Sequence, residues 1–385
     1  MHIRTKLILL SIILTSVTMF LVGSLTIIQS SEALAASHIG HMGAIASLQQ
    51  ERIKEAVAQS VERISLLQAS ARLKDALQVY SLDRNAAIIL GTETLKEIQI
   101  IYPDFKEIHL LDSNGVILFS TSTIESGAFF SRPLSFSFEE ALRAPGISPV
   151  FLDENRSPFL YVFTPIQSSN EDTSGLVLAR QPADLLVSIA HETVGLGETG
   201  ENMIVQAEED GDIVFITPPR FPSQRVEFGR MAAVDASPLI IAATKGHVTV
   251  FESEEDYRGV QVLATTRFLE GVNWGLITKM DVAEAQRPIE DLRNLIILAD
   301  GIALVLIVMI VLVVAESIAS PITRLTRIAN DISHGVLDVE VDPRLKKLDD
   351  EVGDLARSFD RTMVSLKLAM RQIPSEGEKL LSRKR

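Results

Sequence analysis

Two apolar runs, residues 7–28 and 295–315, constrain this chain more than any other feature, because no other stretch is long enough to cross a bilayer as a helix. In hydrocarbon every backbone polar group needs a partner within the segment, so both runs are expected to be helical. Charge orients them. Arg4 and Lys6 precede the first run, and Arg324, Arg327, Lys346 and Lys347 follow the second. The positive-inside rule therefore assigns both outer flanks to the cytoplasm. Residues 32–293 carry 21 basic and 37 acidic side chains, a net of −16, and are expected on the opposite face. The boundaries that follow are a cytoplasmic N-terminus at 1–6, a first transmembrane helix at 7–29 and a second at 294–316.

The sequence Ala33-Leu34-Ala35 after the first run has the small residues of a signal-peptidase site. The run itself is longer than the roughly 7–15 residues of a signal-peptide core, so it is read as a retained anchor. Asp300 lies one to two turns inside the second run, within reach of the outer interface.

Between the runs the periodicity changes twice. Residues 30–80 read as a long stalk helix, with Ile53, Val57, Val61, Ile64, Leu67 and Ala71 on one face and a break expected near Gly40 and Gly43. From Phe105 the period becomes two. Ile108–Leu111 and Val116–Ser120 flank the turn formers Asp112-Ser113-Asn114-Gly115, a hairpin signal. A short helix at Phe138–Arg143 and strands at Val150–Leu152, Phe159–Pro165 and Gly175–Arg180 follow. The layout then recurs, with Met203–Gln206 and Ile213–Thr217 around a second acidic turn, a helix at Pro238–Lys245 and three further strands. Two tandem modules result, at 81–182 and 183–293, each an antiparallel sheet with helices on one face in a PAS-like pattern.

Past the second run, Ile322, Leu325, Ala329, Ile332 and Val336 follow a 3-4 spacing, and Val352, Leu355, Phe359, Thr362 and Leu366 repeat it. Each set is a coiled-coil seam. Pro321 opens the first helix and Gly335 closes it, and Asp349-Asp350-Glu351 puts negative charge where the second helix dipole favours it, two residues before Gly353. Two short helices with one apolar stripe each cannot bury those stripes alone, so a parallel homodimer of four helices is expected.

No catalytic set emerges, and the absence of cysteine excludes disulfides and thiolate chemistry. His38 and His41 lack a third ligand at metal-binding spacing, and His191-Glu192 lacks the second histidine of a zinc-protease motif. Gly195, Gly197 and Gly200 are interleaved with Glu198, which would repel a pyrophosphate, so they read as a structural loop. The chain is expected to be no enzyme and to need no cofactor, no metal and no nucleic acid.

Residues 317–371 resemble a HAMP relay, on the two seams with Pro321, Gly335, Glu351 and Gly353. Residues 32–293 resemble the double Cache sensors, on the membrane-emerging helix, the tandem modules, Gly195-Leu196-Gly197-Glu198-Thr199-Gly200-Glu201 and Val272-Asn273-Trp274-Gly275-Leu276 before Asp281, Glu284 and Ala285. Together they imply an α+β membrane protein, a two-pass plasma-membrane receptor with external sensor modules and both termini cytoplasmic. Its HAMP domain would form a cytoplasmic four-helix coiled coil as a homodimer. The ending at 365–370 and a tail at 372–385, where Pro374 is expected to end the helix, are similar to archaeal and bacterial HAMP receptors without an output domain. A signalling protein acting in trans is then expected to read Arg324, Arg327, Asp354, Arg357 and Arg361. The alternatives are the sensor subunit of a split histidine kinase or cyclase, and a non-signalling surface binding protein.

Double Cache receptors for amino acids carry an Arg-x-Trp-aromatic motif and a later aspartate that pairs with the ligand ammonium. Here Arg132 is followed by Pro133-Leu134-Ser135, and the fifth strand ends in Arg180. With Tyr161 and Phe163 lining the same cavity, Arg132 and Arg180 would favour a small-molecule carboxylate or other anion.

Small or polar seam residues such as Ala329 and Thr362 narrow the energy gap between alternative helix rotations. Ala329→Ile is therefore expected to shift the rotation of the first relay helix. Single-cysteine crosslinking along that helix should change pattern in the variant; identical patterns would contradict the expectation.

Overall fold

The computed structural model describes residues 3–124, 126–130, 138–167, 174–227, 229–334, 336 and 339–382. The chain divides into two units, residues 31–288 and residues 1–30 with 289–385.

The 31–288 unit is strung along α1 (Ile3–Ser65), which passes Gly40 and Gly43 without the expected break. Neither glycine meets a backbone demand there, and the rest of the stretch is good helix former, so their cost of roughly 1 kcal/mol each is absorbed. The helix ends earlier than the apolar stripe suggests. A 3₁₀ turn at Leu66–Ala69 gives way to Ser70, whose side chain accepts from the Leu73 N–H and caps α2 (Ala71–Tyr80). Asp83 caps α3 (Arg84–Ile101) through the N–H groups of Asn85 and Ala86. The stalk expected at 30–80 is thus α1, a 3₁₀ turn and α2, because the N-cap Ser70 interrupts the pattern, and α3 follows beyond it.

The first sheet, called distal below, contains β1 (Glu107–Asp112), β2 (Ile117–Ser120), β3 (Gly146–Ile147), β4 (Phe151–Leu152), β5 (Pro158–Gln167) and β6 (Ser174–Pro182), with α4 (Phe138–Ala141) between β2 and β3. Its order is β2-β1-β6-β5-β3, with β4 also on β5. After α5 (Asp184–Ala190) the second sheet forms from β7 (Glu201–Ala207), β8 (Ile213–Phe215), β9 (Arg230–Met231), β10 (Val250–Glu255), β11 (Gln261–Leu269) and β12 (Trp274–Asp281), with α6 (Pro238–Thr244) on one face. Its order is β10-β11-β12-β7-β8-β9, and every pairing in both sheets is antiparallel. Each module places its first hairpin beside its last strand, in the same order, so the repeat read from the sequence is a repeat of topology. The two hairpin turns match as well. Asp112 Oδ1 accepts the N–H groups of Asn114 and Val116, Asp210 Oδ1 accepts that of Asp212, and Gly115 and Gly211 take positive φ.

One apolar core runs through both modules, from Ile53, Ile64 and Leu77 through Phe105, Leu110 and Val177 to Ile204, Trp274 and Leu276. Polar contacts fasten α1 to it. Gln50 donates to the Phe268 carbonyl at 2.7 Å, Arg267 to that of Gly43 at 3.2 Å, and Gln181 to the Ser60 hydroxyl at 3.1 Å.

The proximal sheet buries an ionic cluster. Lys279 on β12 has no exposed surface and pairs with Asp256 and, at 3.0 Å, with Glu201. Glu201 also accepts from the Tyr257 hydroxyl and the Arg220 N–H, and Asp256 from Arg258, which reaches on to Asp281. Burial disfavours the Asp256 carboxylate, but Lys279 and Arg258 outweigh it and hold its carboxyl below the ordinary value. Burial and the neighbouring Glu201 push the Tyr257 hydroxyl up, so it stays a donor.

β12 runs directly into α7 (Val282–Val314), whose first turn is clasped by the loop of residues 195–200. The Glu284 carboxylate accepts the N–H groups of Glu198 and Thr199 at 2.7 and 2.8 Å, and the Thr199 hydroxyl. Gly197 has φ +74° and faces that carboxylate so closely that a Cβ would collide with it, so glycine is required. On the other side of the loop His41 Nε2 lies 3.0 Å from the Gly195 carbonyl oxygen.

In the other unit, the apolar parts of α1 and α7 are long and apolar enough to cross a membrane and leave Phe20, Leu21, Val305 and Ile310 exposed. Asp300 turns towards α1, 3.6 Å from where a Cβ on Gly23 would stand. A π-helical turn at Ala315–Ala319 leads into α8 (Ser320–Ser333), followed by α9 (Pro343–Lys346) and α10 (Glu351–Ser382). Asp342 meets Arg324 near the start of α8, and Arg357 near the start of α10 donates to the Lys346 and Leu348 carbonyls. The connector has therefore carried the chain back, and α10 runs in the same direction as α8. Asp350 caps α10 by accepting the Gly353 N–H at 2.9 Å. The helix continues through Pro374 to Ser382 instead of ending there.

Replacing Lys279 by methionine leaves the buried Glu201 without its cation and Asp256 with Arg258 alone, and is expected to cost about 3–5 kcal/mol. Urea unfolding of the solubilised chain, followed by the fluorescence of its single tryptophan, Trp274, should show an earlier midpoint. An unchanged midpoint would contradict the role given to the cluster.

Candidate functional site

The cavity of interest, about 550 Å³, opens on the distal sheet and is lined by Phe151, Leu152, Asp153, Glu154, Asn155, Phe159, Tyr161, Arg180 and Arg230. Strand register assembles it. Arg180 on β6 stands opposite Tyr161 on β5 and Glu107 on β1, so one guanidinium is presented between an aromatic strand and a carboxylate. The β4–β5 turn supplies the lip. Asp153 Oδ1 accepts the N–H groups of Asn155 and Ser157, and Arg156 adopts φ +65° to close the turn.

Arg180 lies 4.3 Å above the Phe159 ring and donates to Asp153 Oδ2 at 3.1 Å and to Glu107 Oε1 at 3.4 Å. Its Nε is buried without a hydrogen-bond partner among the described residues. Asp153 is occupied by the turn and by Arg180 together. The aromatic wall is tightly interlocked, with Tyr161 edge-on to Phe159 at 5.6 Å and to Phe130 at 5.5 Å. Behind it His109, fully buried, holds its Nδ1 3.0 Å from the Ser120 hydroxyl.

Tyr161 and Arg180 are thus brought together at one cavity. Phe163 is not among the lining residues: its ring packs where Gly146 has no side chain, 2.7 Å from the position of a Cβ there. Arg132 lies outside the described residues, as does Gly335. Phe151, Asp153 and Phe159 were not singled out from the sequence, although the Asp153-Glu154-Asn155 turn between two strands carried a signal. Arg230 had none, because it arrives from β9 of the other module. It pairs with Glu208 at 2.7 Å and is half-exposed. Burial pushes the Glu208 carboxyl up, against the pull of Arg230, with Asp210 and Asp212 adding to the rise.

In the C-terminal helices the seam residues divide. Pro321, Leu325 and Val352 are buried and Ala329, Ile332 and Phe359 half-buried, whereas Ile322, Leu355, Thr362 and Leu366 are exposed. The core within one chain is completed by Val341, Leu345, Ala356 and Met363, which the seam reading omitted. Glu351, in the first turn of α10, is exposed.

Residues 313–367 match the HAMP domain model. A search of the curated proteins found no match. Among solved structures, the chain is similar to the sensor domain of the V. cholerae histidine kinase DctB, at 12% identity and TM-score 0.44, over 66% of this chain and 98% of that one. It is similar to the ligand-binding domain of the P. aeruginosa PAO1 amino acid chemoreceptor PctB, bound to L-Arg, at 14% identity and TM-score 0.46, over 68% and 98%. The ligand-binding domain of the C. jejuni chemoreceptor Tlp3, bound to L-norvaline, gives 11% identity and TM-score 0.45, over 66% and 95%. These are loose superpositions, and no ligand carries over from them. The reading of the two sheet modules stands on their strand order, and that of the relay on the HAMP match.

Proposed function

We propose that this chain is a two-pass membrane sensor whose external modules bind a small molecule carrying a carboxylate or comparable anionic group, and whose HAMP helices relay the bound state to a cytoplasmic partner. The observation that carries the ligand reading is Arg180 lining a cavity with an aromatic wall, its buried Nε without a hydrogen-bond partner among the described residues. An anion there gains a charge-assisted hydrogen bond, while Phe151, Phe159 and Tyr161 cover the apolar body of the ligand. Asp153 and Glu107 hold the guanidinium flat against Phe159, so the donor is set in place before the ligand arrives.

The charge asymmetry supports external modules between cytoplasmic flanks. The exposed Ile322, Leu355 and Leu366 support a homodimer, since a second copy would cover them in a four-helix bundle. The exposed Arg324, Arg327 and Arg361 are the faces left for a partner in trans, while Arg357 is engaged by the connector. For any ligand to move the relay, its affinity must differ between the two sensor conformations.

The full chain in lipid nanodiscs, titrated calorimetrically with lactate, succinate, benzoate and phenylacetate, is expected to bind at least one. Arg180→Lys keeps the charge but loses Nε, and should weaken that binding about tenfold, the scale of one charged hydrogen bond. Silence across the four acids, or affinity unchanged in the variant, would contradict the reading.

A further inference from the structure

The cavity is built across the joint of the two modules. β4, which supplies its Phe151–Leu152 wall, belongs to the distal sheet but is held by the proximal one. The Val150 N–H donates to Gln206 Oε1 at 2.9 Å, and the same oxygen accepts the Trp274 indole N–H at 2.9 Å. Leu152 lies beside Gly229, its Cδ1 3.5 Å from where a Cβ on that glycine would stand. The next residue, Arg230, is the cavity's one contribution from the proximal sheet among the described residues.

We propose that Arg230 is a second anion-reading residue, so that a ligand seated against Arg180 in the distal module is also gripped by the proximal one. The inference rests on the anion reading above and extends it. Among the described residues Arg230 has one carboxylate partner, Glu208, reached through a single terminal nitrogen, and it lines the same cavity as Arg180. Two guanidinium groups from two sheets on one cavity match a carboxylate better than either does alone.

The grip has a route into the proximal module. β9 pairs with β8 through Val214–Arg230 and Ile213–Met231, and Met231 is buried in the proximal core. Beyond it the Ala233 N–H donates to Asp212 Oδ1 in the β7–β8 turn, so a pull on Arg230 acts on a strand anchored at both ends. A ligand confined to one module could change only that module; one held by Arg180 and Arg230 favours a particular angle between the two.

The test uses the full chain in nanodiscs, the same four acids and their amides. The wild type should prefer acid to amide, and Arg230→Gln should weaken acid binding about tenfold, as for loss of one charged contact, while leaving amide binding unchanged. Arg230→Lys should restore part of the preference. Acid binding unaffected by Arg230→Gln but lost in Arg180→Lys would overturn the assignment and leave the anion site standing. Equal losses for acid and amide in Arg230→Gln would make Arg230 a packing residue and overturn it too. Absence of binding by all four acids to the wild type would remove the anion reading itself, and this inference with it.

Discussion

The burial of Lys279 is the constraint from which the lower part of the sensor follows. A fully buried ammonium is tolerable only with its charge matched, so Asp256 and Glu201 must close on it, and each is then satisfied by further donors, Arg258, Tyr257 and the Arg220 N–H. The chain of contacts continues from Arg258 to Asp281, whose N–H donates to the Thr199 hydroxyl, and from Thr199 to Glu284. The last strand of the sheet and the first turn of α7 are therefore fixed to one polar network. The loop of residues 195–200 touches α1 through His41 as well, so both helices that enter the apolar runs are tied to the same few residues at this level. In the proposed mechanism, that leaves little slack between a change in the sheet and a displacement of α7.

The distal cavity is organised by a different interaction, the stacking of Arg180 on Phe159. Arg180 lies 4.3 Å over that ring with its two terminal nitrogens on Glu107 and Asp153, and its Nε has no hydrogen-bond partner among the described residues. The cavity wall is hydrogen-bonded to the proximal module through Gln206, so the two modules meet along the cavity and not only along α1. In the proposed mechanism the second sheet registers what the first one holds.

Much of this was legible in the sequence where local rules decide. The hairpin turns at Asp112–Gly115 and Asp210–Asp212 fell where turn chemistry put them, because carboxylate-to-backbone bonds and a positive-φ glycine are local demands. Asp350 and Gly353 likewise marked the start of α10. The breaks in the stalk were hidden, since the apolar stripe runs past Ser70 while its capping is a matter of one side chain. Ala356 and Met363 escaped a strict 3-4 seam because α10 carries a wider apolar face, half of it turned to the connector within the chain and half left exposed. At the cavity, Tyr161 and Arg180 were found because alternation along two adjacent strands aims them together. Phe163 shares that alternation yet is diverted by the gap at Gly146, and Arg230 is placed by long-range packing to which no spacing in the sequence corresponds.

The central claim is that occupancy of the external cavity changes the arrangement of the HAMP helices. The chain contains no cysteine, so a spin label on Thr326→Cys, an exposed position of α8, reports a single distance between the two copies of a homodimer. The account predicts that saturating the cavity with a bound organic acid, in nanodiscs, shifts that distance distribution, and that Arg180→Lys shifts it only at higher acid concentration. A distribution that is unchanged at full occupancy would contradict it.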